Sequence, residues 1–399
     1  MDYTDSDDVR QFRADLRAWL AENRDSVARG GQPAADSVAA TLEWYRTLAA
    51  AGYVAVSLPA EYGGRGLPDI FEAVVNEELA IADAPPPPPI GHIAHALADY
   101  GSPELKSRFL PGLLSCTEPW CQGFSEPGAG SDLASITTVA TLTEPASGVS
   151  PRGDDPPSTP RRGASSASST FRVSGRKIWT SGAMWSRWCL LLARTEPGQE
   201  RHRGLSMLVV GLDSPGIERR EITMSTGSRE FAEVFFDDVE VPADNLVGAR
   251  GQGWAIAMSM LTYERGPADM GWVGRIGRVV ARAHSEIRSG RITADEVMRR
   301  RLAADWVGLQ VLQWHVRRSL ASRQHRAPGP EGSLDKLLAT RVEQQVYRTL
   351  SDLAGPAAVV DDVDQFGAYL FSRAQSIYGG TQQIQRTIVA QRLLGLPRA

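Results

Sequence analysis

Apolar residues recur every three to four positions over the first 118 residues, give way to short β-type runs, and return to the helical period after Pro242. In VRQFRADLRAWLAENR, the residues Val9, Phe12, Leu16 and Leu20 fall on one helical face. TLEWYRTLAAAGYVAV and FEAVVNEELAIA repeat the pattern, separated by the Gly-rich loop EYGGRGLPD. Five prolines at 85–89 interrupt it before a further helix near 90–100. SPELKSRFLPGLL opens with Ser102 as an N-cap and Glu104 in the first turn, which predicts one more helix.

From Trp120 to about Val241 the runs FRVSGRKIWT, RWCLLLART, GLSMLVVGL, GIERREI and FAEVFFDDVEV are β-branched or aromatic and bounded by turn residues. They predict a small antiparallel sheet or barrel. Residues 144–169 are rich in Pro, Ser, Gly and Arg, cannot bury a core, and read as a disordered surface loop. Beyond Pro242, five long segments from GWAIAMSMLTYERG to GTQQIQRTIVAQRLLG suffice for an antiparallel bundle. The expectation is an α+β multidomain chain: a helical domain over 1–118, an antiparallel β-domain over 119–241 and a helical bundle over 242–399. Strands do not alternate with helices and no GxGxxG follows a strand, which argues against a Rossmann fold.

Composition narrows the function. With 399 residues, 42% hydrophobic and 23% charged, the chain has the balance of a soluble globular protein. A formal net charge of −4 provides no footprint for nucleic acid and no polybasic membrane anchor. No apolar run approaches the ~18 residues of a membrane span. The acidic start MDYTDSDDVRQFRADLRAWL is unlike a signal peptide and points to the cytoplasm. Cys116, Cys121 and Cys189 are too few for a disulfide framework, and the six histidines lack the accompanying ligands of a metal site. His92 and His95 share a helical face, and a metal role for them is not expected.

Four segments carry more Gly, hydroxyl and aromatic residues than packing requires. In WCQGFSEPGAGSD, Gly128, Gly130 and Ser131 leave backbone N–H groups bare, either as an ordinary Pro-Gly turn or as a nest for an anionic or carbonyl-rich ligand. In GRKIWTSGAMWSRW, the indole of Trp179 stands beside the hydroxyls of Thr180 and Ser181, a combination that suits a planar heteroaromatic ligand such as a flavin. Trp185 and Trp188 serve a core equally well. In MLTYERG, Glu264 follows an apolar helical stretch and precedes Arg265; such a carboxylate is a surface charge, an ion-pair partner or a general base. In SIYGGTQQIQR, Gly379, Gly380 and Thr381 precede a helix, as a phosphate or carbonyl site does and as a plain N-capped loop also does.

The order and spacing of these segments resemble the acyl-CoA dehydrogenase family over essentially the whole chain. SEPGAGSDL is similar to the family's (T/S)EPxAGSD signature, and IYGGTQQIQR with RLLGLPR to its C-terminal one; GRKIWTSGA, FFDDVEVPADNLVG and GQGW fill the places between. The resemblance implies a helical domain, a β-domain and a C-terminal four-helix bundle, with FAD between β-domain and bundle and a neighbouring subunit contributing. It implies flavin contacts from Phe124, Ser125, Trp179, Ser181, Thr381 and Gln383. Ser131 matches a position near the CoA portion, and Arg265 and Gly380 are counted on the substrate side with it.

The family's chemistry is α,β-desaturation: a carboxylate takes the α-proton of an acyl thioester while the β-hydrogen leaves as hydride to flavin N5. Many members carry that glutamate just before the Gly-Thr of the C-terminal signature, where this chain has Gly379. The isovaleryl and long-chain branch, and with it this actinobacterial-type sequence, carries it beside an arginine on the first helix of the C-terminal domain. That assigns Glu264 as base, with the Gly379 N–H available to the thioester carbonyl. The usual Arg-x-x-Phe-Gly stretch has no clear match in RSGRITADEVMRRR, and AGPAAVVDDVDQFGAYLFSR replaces a Gly-rich segment, so the pyrophosphate contacts stay unassigned. The expected substrate is an acyl-CoA or acyl-carrier-protein thioester, the expected acceptor an electron-transfer flavoprotein, and the expected assembly a homodimer or homotetramer. A flavin monooxygenase on the same fold and a non-catalytic partner subunit are the other readings.

Overall fold

The computed structural model describes residues 5–23, 35–144, 169–196, 198–199, 201–263, 265–323, 329–356 and 363–397. The predicted surface loop falls almost wholly, at 145–168, outside the described residues. The chain opens with five helices: α1 (Asp7–Glu22), α2 (Ala35–Ala50), α3 (Asp69–Ile81), α4 (Gly91–Tyr100) and α5 (Pro103–Leu114). Val9, Phe12, Leu16 and Leu20 of α1 are all buried, as their spacing predicts. Ser102 caps α5 by accepting a hydrogen bond from the Leu105 N–H at 3.2 Å. The proline run is pinned rather than loose, since Trp44 Nε1 donates to the Pro85 carbonyl at 3.2 Å.

Eight strands follow: β1 (Trp120–Gly123), β2 (Val139–Thr143), β3 (Thr170–Ser181), β4 (Trp188–Arg194), β5 (Leu205–Gly211), β6 (Ile217–Ile222), β7 (Phe231–Pro242) and β8 (Leu246–Val247). They form one sheet in the order β6-β7-β3-β2-β4-β5-β8, with β1 on β4. Its main ladders are antiparallel, as expected. The exceptions lie at β4, which pairs in parallel with β1 along its length and with β2 at Val139–Arg194; β1 enters the sheet from α5 rather than through a hairpin. Strands β4 and β5 read as unbroken apolar runs because both faces are covered. Leu190, Leu192, Met207 and Val209 pack with the N-terminal helices, while Cys189, Leu191, Leu208 and Val210 face the second core under β3 and β7.

Among the described residues the remaining helices are α6 (Gly253–Tyr263), α7 (Asp269–Arg288), α8 (Glu296–Arg323), α9 (Glu331–Ala354), α10 (Val363–Ala374) and the short α11 (Gln382–Ile388). A core of Ile276, Val280, Leu312, Val316, Val342 and Val346 joins α7, α8 and α9. The fourth member of the bundle is α10, which the sequence reading left without a helix, whereas the terminal segment forms only a short helix and a π-type turn. Helix α6 belongs to the N-terminal core through Ile256, Ala257 and Met260. It therefore carries its C-terminal end to the junction of the helical domain and the bundle.

Candidate active site

One group of the expected site residues is built on the sheet. Phe124 and Ser125 leave β1, and the Ser125 carbonyl accepts from the Ile178 N–H at 2.9 Å, stitching this loop to β3. Beneath it lies a buried ion pair that sequence reasoning missed. Lys177 Nζ donates to Glu126 Oε1 and to the Phe124 carbonyl, each at 2.9 Å, with the lysine fully buried. The Glu126 carboxylate also accepts from Thr137 N–H at 2.6 Å, Thr137 Oγ1 at 2.8 Å and Thr138 N–H at 2.9 Å. Burial alone would raise the Glu126 pKa, but the Lys177 ammonium and these donors outweigh it and hold the group at about 2. Lys177 is pushed down to about 8 by burial, against the pull of Glu126. The signal for this anchor was a lone lysine inside a strand of a chain with three lysines.

The register of β3 against β7 shifts between Lys177 and Thr180, and Trp179 takes φ +59° at that bulge. The kink throws the indole outward, leaving it 56% exposed with only an edge contact to Phe231 at 6.1 Å between centroids. Thr180 is buried, and its Oγ1 has no hydrogen-bond partner among the described residues. Ser181 ends the strand exposed, so Phe124, Ser125, Trp179 and Ser181 lie on two stitched segments at one sheet end. Ser131 is exposed in the turn before Asp132, which pairs with Arg201 at 2.9 Å.

A second group of expected site residues sits where α6 meets the C-terminal glycines. Arg265 Nη2 donates to the Gly379 carbonyl at 3.2 Å, joining segments 114 residues apart. Gln385 Nε2, fully buried, donates to the same carbonyl at 3.0 Å and to the Gly380 carbonyl at 3.2 Å. Gly379 and Gly380 have φ of +61° and +91°, and a Cβ on Gly380 would stand 2.4 Å from that Gln385 nitrogen. Thr381 caps α11 by accepting from the Ile384 N–H at 3.3 Å, and Gln383 is exposed on the first turn. The peptide of Gly380 is trans, so the clamp on the Gly379 carbonyl aims the Gly380 N–H the opposite way.

Glu264 lies outside the described residues, but its neighbours are fixed from both sides. Arg323 Nη2 donates to the Arg265 carbonyl at 2.8 Å and the Thr262 carbonyl at 3.4 Å, while its Nη1 pairs with Asp69 at 3.3 Å. Asp269 Oδ2 accepts from the Gly266 N–H at 2.9 Å. Burial and then Asp335 push the Asp269 carboxyl up to about 7. Among the described residues, no group of three or more His, Cys, Asp or Glu side chains converges as a metal site. A groove of about 790 Å³ lies elsewhere, lined by Tyr62, Lys106 and Ser115 among others, and shares no residue with either group.

Comparison with known proteins gives this arrangement a lineage. Three family models match in order: acyl-CoA dehydrogenase N-terminal domain over 6–117, middle domain over 121–239 and C-terminal domain over 251–394. The chain belongs to the acyl-CoA dehydrogenase family. It is 39% identical to acyl-CoA dehydrogenase IpdE1 of Mycolicibacterium smegmatis, over 98% of each chain. Among solved structures it is similar to the Tcur3481-Tcur3483 steroid ACAD, with TM-score 0.80, 26% identity and full coverage of both chains. The ChsE4-ChsE5 complex from Mycobacterium tuberculosis is similar at TM-score 0.79 and 26% identity, again with full coverage of both. As an acyl-CoA dehydrogenase the chain is a flavoprotein oxidoreductase with FAD as cofactor. The exposed Trp179 face and the unpartnered Thr180 hydroxyl fit that group chemically, offering a stacking surface and a buried polar atom to one planar, hydrogen-bonding ring. No helix among the described residues is long and apolar enough to cross a membrane.

Proposed function

We propose that this acyl-CoA dehydrogenase removes the α- and β-hydrogens of an acyl-CoA thioester, with Glu264 as the α-proton acceptor. The observation that carries this reading is the Arg265–Gly379 hydrogen bond, which ties the end of α6 to the C-terminal glycine loop. An α-C–H is acidic enough for a carboxylate base only while its thioester carbonyl accepts hydrogen bonds. The Gly379 and Gly380 backbone is assigned that task, and the clamp keeps it in register with the residue beside Arg265. Phe124, Ser125, Trp179 and Ser181, with Thr381 and Gln383 from the glycine loop, are assigned to hold the FAD ring system. Bound there, FAD supplies the acceptor for the β-hydride. Ser131 is assigned to the CoA side, and Arg265 to positioning the glycine loop rather than to direct substrate contact.

Two finer points belong to the same reading. One structural relative is named a steroid ACAD, which brings a ring-bearing acyl group to this chain as the class to try first. Helix α8 exposes Trp306, Val307, Val311 and Trp314, which supports assembly with a second copy of the chain. An electron-transfer flavoprotein is the proposed acceptor, and CoA the proposed carrier in preference to an acyl-carrier protein. The test is the visible spectrum of the purified protein, recorded anaerobically before and after ring-bearing acyl-CoA thioesters are added. Bleaching of the oxidised flavin band supports the proposal. A flavin band that no acyl-CoA bleaches refutes it.

A further inference from the structure

Beside the end of α6, where an alkyl chain would call for aliphatic walls, the fold gathers polar side chains from three other segments. The His95 ring of α4 stacks on the Tyr263 ring at 3.9 Å between centroids with the planes parallel. Its Nε2 lies 3.4 Å from Ser57 Oγ. The Ser57 N–H donates in turn to the Glu72 carboxyl of α3 at 3.3 Å. All four residues are half-buried, so each keeps surface toward solvent or a ligand. Tyr263 is the residue before Glu264 in the chain.

The electrostatics set this group apart from the structural ion pairs elsewhere. Neither Glu72 nor His95 shares an ion pair with an arginine or lysine among the described residues. Burial instead pushes the Glu72 carboxyl up to about 7, lowers the His95 pKa and raises that of Tyr263. Each is thereby biased toward its neutral, hydrogen-bonding form. The nearby Asp69 and Asp99 carboxylates, the first paired with Arg323, disfavour an anionic ligand group. Polar groups desolvated without charged partners have their cost offset when a ligand completes their hydrogen bonds.

We propose that Ser57, Glu72 and His95 read a neutral oxygen function, a hydroxyl or ketone, on the acyl group of the substrate. This rests on the acyl-CoA reading above and names the substrate class within it. The experiment compares kcat/KM of the purified holoenzyme for cyclohexylpropanoyl-CoA and its ring-hydroxylated and ring-carboxylated analogues. The hydroxylated thioester is expected to exceed both others by at least about tenfold. His95→Phe keeps a ring on Tyr263 but removes Nε2, and is expected to lower activity on the hydroxylated compound and shift preference to the unsubstituted ring. Ser57→Ala is expected to shift the ratio the same way and serves if the first variant does not fold. An unsubstituted ring that matches or beats the hydroxylated one in the wild type overturns the inference while leaving the acyl-CoA reading intact. So does a preference that neither variant alters. If no thioester in the panel bleaches the flavin, the acyl-CoA reading falls, and this inference with it.

Discussion

Replacing Lys177 by Met tests whether the loop that carries Phe124 and Ser125 is held from below. The substitution keeps an unbranched side chain in the same buried slot but removes the ammonium that bonds Glu126 Oε1 and the Phe124 carbonyl. Breaking one side of a buried pair costs about 3–5 kcal/mol, because the remaining charge is stranded. Here the lower end applies, since Glu126 keeps its bonds from Thr137 and Thr138. We therefore expect about 3 kcal/mol of destabilisation, several degrees in Tm. Flavin content after purification should fall as well, because the Phe124 carbonyl loses its donor. Adding Glu126→Gln removes the stranded charge and should recover part of the loss, giving a coupling energy of about 2 kcal/mol in a double-mutant cycle. A Lys177→Met protein that melts like the wild type and retains full flavin would refute the argument.

The same pair sets an acid limit. Glu126 sits at about 2 when folded against an ordinary 4.5, so its stabilisation is complete above about 4.5 and is lost as pH falls toward 2; tryptophan fluorescence against pH should show this, and the loss should be smaller in Lys177→Met. Glu264→Gln should give a yellow protein whose flavin no acyl-CoA bleaches, and sustained turnover in that variant would remove Glu264 from the mechanism. Introducing Gly379→Glu into it should rescue poorly, because Lys336 Nζ lies 3.5 Å from where the new Cβ would stand and would lower the proton affinity of the new carboxylate, making it a weaker base; Lys336→Met should improve the rescue in the same bleaching assay. Arg265→Ala should fold normally yet lose roughly 10- to 100-fold in kcat with a smaller change in KM, as expected when a positioning strut is removed. Arg265→Lys should restore only part of it, since an ammonium lacks the guanidinium fork.

Much of this molecule could be read before its structure. The face of α1 was given by four spaced residues, and all four are buried. Ser102 and Thr381 announced their helices by cap chemistry, which is local and therefore legible. What escaped was either long-range or local but weakly patterned. The Arg265–Gly379 bond spans 114 positions, and nothing in either segment names the other. The burial of Lys177 depends on Glu126, 51 residues earlier, and a lone lysine in a strand reads by default as exposed. Helix α10 was lost because Gly367 and the acidic run before it weaken the local pattern, while its place is secured by packing on the bundle core through Ala368 and Tyr369. The parallel β1 was equally invisible, since strand direction is settled by where the chain re-enters the sheet.

With Glu264 as the proposed base, the groups gathered around position 264 account for how a carboxylate away from the glycine loop would keep its aim. A base must stay within hydrogen-bond reach of the proton it takes, so its backbone has to be fixed relative to the groups that hold the thioester carbonyl. On the loop that relation is automatic, because base and N–H donors share one short segment. Away from the loop it must be rebuilt across the fold, and on the proposed reading three contacts serve that end. Arg323 holds the carbonyls of Thr262 and Arg265, Asp269 holds the Gly266 N–H, and Arg265 reaches across to the Gly379 carbonyl. The arrangement has a cost: Asp269 is buried with its carboxyl raised to about 7, a burden that a surface turn would not carry. The proposed role of Glu264 gives that cost a purpose, since it keeps the backbone on either side of residue 264 in place. On the proposed reading Arg265 and Glu264 act together, the one fixing the loop against which the other works.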